Sequence, residues 1–82
     1  LIKLDGYDEA ILGPAYVWHD GEQVETLVYS AEKIREILMN RDGMTAEKAR
    51  EFIEFNIEGL YAGVDTPILV WPEDYREQGG PF

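Results

Sequence analysis

Asp5, Asp8 and Glu9 cluster near the start of the chain, and the single histidine, His19, follows soon after. These are the residue types on which chemistry could be built. Neighbouring carboxylates are hard oxygen donors of the kind Mg²⁺ accepts. A carboxylate with an imidazole is a minimal set for moving protons. Neither set is complete. No other ligands accompany the three carboxylates, so they read as a solvated loop. A general base needs a nucleophile and an orienting partner, and the sequence identifies neither for His19. Asp42-Gly43 invites a calcium-loop reading but lacks the ligand spacing, and reads as a turn. No catalytic, cofactor-binding or metal-ligating residue is assigned. The chain is expected not to be an enzyme, and one built on Asp8, Glu9 and His19 is the weakest reading of it.

The aromatic residues say more. Ala15 to His19, then Asp20-Gly21, then Glu22 to Tyr29 form a hairpin pattern. Asp-Gly suits a two-residue type I′ turn, whose central residues both need positive φ. That turn sets His19 opposite Glu22, Val17 opposite Val24 and Ala15 opposite Thr26. One sheet face then carries Ala15, Val17, Val24, Thr26 and Val28. The other carries Tyr16, Trp18, Gln23, Glu25, Leu27 and Tyr29. Small β-branched residues pack well beneath helices, so the first face is expected inward; a one-residue slip would exchange the two. Tyr16, Trp18 and Tyr29, joined by Trp71, then make an exposed aromatic patch and a candidate partner-binding site. The patch either stays open or is covered by the N-terminal segment or the tail. Gly13-Pro14 points to a bulge or an edge. Leu1 to Leu4 alternates like a short strand, broken by Asp5-Gly6.

Two amphipathic helices must position these residues. They begin with near-copies of one start signal, Ser30-Ala31-Glu32-Lys33 and Thr45-Ala46-Glu47-Lys48. Ser30 and Thr45 are N-caps, Tyr29–Ile34 and Met44–Ala49 are staple pairs, and Gly43 is suited to end the first helix near Arg41. In that motif Met39 and Met44 bracket the stop. Ala49, Phe52, Ile53, Asn56, Ile57 and Leu60 form the apolar stripe of the second helix. Asn56 is expected to bond a strand or loop backbone from within that stripe. The second helix can stop at Gly59 or run on to Gly63, and the stripe continuing through Leu60 and Tyr61 favours the later stop. Glu47, Glu51, Glu54 and Glu58 fall on the opposite side. They read as a solvated face or as an acidic ridge for a basic partner, with Glu51 and Glu54 the candidate contacts.

Ile68 to Trp71 reads as a closing strand bracketed by Pro67 and Pro72. Up-and-down logic sets it antiparallel to Val24–Tyr29 and parallel to Ala15–His19. The fold class is α+β, ββααβ, with the helices on one face of a small sheet. Residues 1–72 make one domain and residues 73–82 a flexible tail, whose Tyr75 and Phe82 could dock.

The charge balance is 17 acidic against 7 basic residues, a net charge of −10. Such a chain is repelled by phosphates and anionic membranes, so neither nucleic acid nor membrane is an expected partner. Mimicry of nucleic acid, to block an enzyme that binds it, is the sharper reading of the charge. Cysteine is absent, which excludes disulfides and thiolate metal sites. No stretch reads as a signal peptide or approaches the ~20 apolar residues that cross a bilayer, so a cytoplasmic location is expected.

GYDEAILG at Gly6–Gly13, NRDGMT at Asn40–Thr45 and EFNIEGLYAG…TPILV at Glu54–Val70 resemble a group of small uncharacterised proteins of tailed bacteriophages and marine metagenomes. The resemblance spans most of the chain apart from the tail. It implies a bacterial or phage cytosolic origin and carries over no activity or functional residue. The leading expectation is a small acidic non-enzymatic accessory protein that binds a protein partner or itself. It would use no cofactor.

Overall fold

The computed structural model describes residues 1–59 and 63–72. The tail, with Tyr75 and Phe82, and the expected run of the second helix through Leu60 and Tyr61 lie outside the described residues. The elements are β1 (Ile11–His19), β2 (Glu22–Ser30), α1 (Ala31–Asp42), α2 (Ala46–Ile53), a π-helical turn (Glu54–Glu58) and β3 (Ile68–Val70). They form an α+β fold in the order ββααβ. A single 3₁₀ turn at Asp8–Ala10 leads into β1. Leu1 to Leu4 pairs with no strand; among its contacts, the Leu4 N–H donates to the Tyr29 hydroxyl at 2.8 Å and Lys3 lies 3.3 Å from Asp8.

The hairpin follows from its turn. Asp20 and Gly21 take φ of 52° and 80°, as the I′ geometry requires. The pairs His19–Glu22, Val17–Val24 and Ala15–Thr26 form as expected. The ladder is interrupted between Ile11 and Gly13, where Leu12 is the extra residue. Both helix starts are capped: Ser30 Oγ accepts from the Lys33 N–H at 3.1 Å and Thr45 Oγ1 from the Lys48 N–H at 3.2 Å. Gly43 ends α1 in the left-handed conformation. The Gly43 and Met44 N–H groups both donate to Leu38, one position before the expected Met39.

Three expectations are corrected. First, the helices cover the sheet face of Ile11, Leu27, Tyr29 and Leu69, not that of Ala15, Val17, Val24, Thr26 and Val28. Tyr29 is fully buried with Ala31, Ile34, Leu38, Ala49 and Ile53, and Ile11, Leu27 and Leu69 pack against that cluster. Alternation separates the faces but does not say which one meets the helices. Large side chains at the helix end of the sheet decided it, since each buried residue of this size contributes about 1.5–3 kcal/mol.

Second, β3 lies beside β2 and runs parallel to it, Tyr29 facing Leu69, in the sheet order β1-β2-β3. Up-and-down logic assumes that the chain merely turns after the helices. Instead it is led back to the middle of β2 and then runs beside Val28–Ser30. At the return, the buried Thr26 hydroxyl lies 2.9 Å from both the Asp65 and the Thr66 carbonyl oxygens.

Third, Asn56 is exposed and its amide donates to the Phe52 carbonyl at 3.1 Å. The π-helical turn is the reason. Its wider turn swings Asn56 off the apolar stripe while Ile57, four residues after the fully buried Ile53, stays on the core. The π-helical turn is capped by Gly59, the earlier of the two stops the sequence allows.

Candidate partner-binding face

The sequence proposed Tyr16, Trp18, Tyr29 and Trp71 as one aromatic patch. The fold divides them. Tyr16 and Trp18 are 59% and 70% exposed, whereas Tyr29 and Trp71 are 0% and 7% exposed. Register explains the division. Tyr16 pairs with Glu25 and Trp18 with Gln23, so all four share the face that carries Leu27 and Tyr29 nearer the helices. β1 and β2 extend past the point where the helices cover that face. The near half of the face is core; the far half presents two aromatic rings flanked by a carboxylate and an amide.

Trp71 belongs to the core. Its indole N–H donates to Glu58 Oε1, and the Arg50 guanidinium lies 4.3 Å from its ring centroid. These contacts fasten the end of β3 to the second helix. Tyr7, also buried, has a matching arrangement that the sequence reading missed. Arg41 lies 5.1 Å over its ring and donates to the Gly6 carbonyl at 3.1 Å. The Asp42 carboxylate and then the Tyr7 hydroxyl hold that guanidinium above its ordinary pKa. Arg41 so ties the segment before β1 to the end of α1.

The acidic ridge is largely answered by the chain itself. Glu47, Glu51, Glu54 and Glu58 are exposed. However, Lys48 lies 3.7 Å from Glu51, Arg50 lies 3.4 Å from Glu54, and Glu58 holds Trp71. Beside the ridge, Phe55 is 81% exposed at the π-helical turn. With Met44, Phe52 and Lys48 it lines an open cleft of about 540 Å³. The apolar stripe facing the core omits Phe55, which lies instead on the side of Phe52 and Lys48, three and seven residues before it, at ordinary helical spacing.

The carboxylate–histidine set does not assemble. Asp8 and Glu9 are exposed ahead of β1, and His19 closes its other end beside Asp20 at 3.2 Å. Eight residue steps of strand separate the two ends by roughly 26 Å. Lys3 pairs with Asp8 at 3.3 Å. Among the described residues no group of acidic, histidine or cysteine side chains could hold a metal ion. No helix among them is long and apolar enough to cross a membrane. Comparison with known proteins found no matching family model, no similar curated protein and no similar solved structure.

Proposed function

We propose that this is a small, acidic, non-enzymatic binding protein that acts through the far half of its hairpin. The observation that carries the reading is the exposure of Tyr16 and Trp18 on a sheet face whose other half is core. Exposed aromatic surface of this kind favours a protein partner, because large rings release much water for little lost freedom. The partner is another protein or a second copy of the chain. Direct nucleic-acid and membrane binding are left out, since a net charge of −10 opposes both. The resemblance to phage proteins fits an accessory role in the cytoplasm of a bacterium or an infected cell. Mimicry of nucleic acid through Glu51 and Glu54 is the weaker reading, because Lys48 and Arg50 offset those charges.

The test replaces Tyr16 and Trp18 together by serine. Self-association is read by light scattering and partner capture by mass spectrometry of a bacterial lysate. The double variant keeps its circular dichroism and loses whichever association the unchanged protein shows. Association that survives the double change would contradict the reading.

A further inference from the structure

The hairpin register says which backbone groups β1 leaves free. A two-residue turn makes His19–Glu22 a pair that exchanges hydrogen bonds. Such pairs alternate along an antiparallel ladder. Val17–Val24 and Ala15–Thr26 are therefore bonded pairs, while Tyr16–Glu25 and Trp18–Gln23 are not. The N–H and C=O groups of Tyr16 and Trp18 point away from β2. β1 is the edge of the sheet, so nothing in the sheet receives them. Pro14 belongs to the same outward set and has no N–H to leave bare. The two residues with exposed rings are thus two that each offer both a free N–H and a free C=O.

Edge strands are blunted by charge, lysine above all, or by proline and bulges, and β1 has the last two only at its start, at Pro14 and Leu12. β1 has no lysine, arginine, aspartate or glutamate. From Leu4 to Glu32 the chain has no lysine or arginine at all, while Asp20, Glu22 and Glu25 surround the far end of the hairpin. The six described lysines and arginines each sit beside a carboxylate elsewhere. Among the described residues no cation pairs with Glu22 or Glu25. An open, uncharged edge flanked by two rings and unanswered acids is complementary to one kind of ligand.

We propose that β1 takes an extended, basic segment of a partner protein as an added strand, bonded at Tyr16 and Trp18. The inference rests on the binding-face reading above and names the partner's chemistry. Alternate residues of an added strand fall on one face, about 6.6 Å apart, which matches the step from Tyr16 to Trp18. Lysine or arginine at alternate positions would sit over the rings and near Glu25. Pro14 at one end and the turn at the other limit the added strand to a few residues. A second copy is a poorer occupant: its β1 brings no cation, and each chain carries a net charge of −10.

The test uses a labelled octapeptide alternating arginine with threonine, and fluorescence anisotropy. Its controls are the same peptide with glutamate for arginine, and one N-methylated at every central amide. The full chain binds the arginine peptide saturably and more weakly as salt is added, and binds neither control. Trp18→Ala weakens binding about tenfold and Glu25→Gln a few-fold, in the range of a desolvated cation–π contact and one screened charge. Amide exchange of the variants verifies that the fold is kept. Absence of binding, equal binding of the N-methylated peptide, or indifference to Trp18→Ala overturns the inference. If the protein instead dimerises through Trp18 and ignores the peptides, the occupant is a second copy and the binding-face reading survives. If Trp18→Ala alters neither peptide binding nor self-association, that reading falls as well.

Discussion

The two halves of one hairpin face carry the same kinds of residue to opposite ends. Near the helices, Ile11, Leu27 and Tyr29 meet Ile34, Leu38 and Ile53, and Tyr29 is fully buried. Toward the turn, Tyr16 and Trp18 continue the same face and remain mostly exposed. Nothing about a tyrosine in an alternating strand separates the two cases. The difference lies in what covers the face: α1 starts at Ala31, directly after β2, and folds back over only the near half. Aromatic rings stabilise the fold in one half and stay exposed in the other.

Substitutions can break this comparison from either side. The largest effect is expected in the near half. Tyr29→Ala removes a buried ring and the acceptor for the Leu4 N–H, and should cost about 3–5 kcal/mol in denaturant unfolding. For a domain this small that is a large share of the total stability. Tyr29→Phe keeps the ring and loses only the hydroxyl, so about 1 kcal/mol is expected. The ratio of the two separates packing from hydrogen bonding. Next comes Gly21→Ala, which forces a side chain into the left-handed turn at φ 80° and should cost about 1–2 kcal/mol. Its signature is loosened pairing in the far half, visible as faster exchange at Val17 and Val24. Ser30→Ala removes the cap of α1 and should cost about 1 kcal/mol, read by thermal unfolding. The smallest effect is expected at Trp18→Ala, within about 0.5 kcal/mol, as for an exposed residue outside the core. A loss as large as that of Tyr29→Ala would mean that the two halves are not different after all.

What could be read from the sequence divides by distance along the chain. The Asp20-Gly21 turn, the register at His19–Glu22, the caps at Ser30 and Thr45 and the left-handed Gly43 all depend on residues within one or two turns of each other. Local stereochemistry determines them, and they were legible. The covered face of the sheet, the parallel direction of β3 and the burial of Trp71 depend on contacts between distant segments. Thr26 meeting Asp65 and Thr66 has no local signature, so the direction of β3 was not legible. Asn56 failed for a subtler reason. Ile53 and Ile57 keep helical spacing whether the turn between them is α or π, so periodicity conceals the switch that moves Asn56 outward. Of the candidate site, alternation gave Tyr16 and Trp18 correctly as exposed. It gave Tyr29 wrongly because it could not locate the edge of the helical layer.

Amide hydrogen exchange along β1, residue by residue, tests the central claim most directly. If the far half is a free edge, the Tyr16 and Trp18 amides exchange fast while the Ala15 and Val17 amides, bonded into β2, exchange slowly. Slow exchange at all four positions in the isolated chain would mean that the edge is already occupied. The hairpin would then not be the open binding surface that we propose.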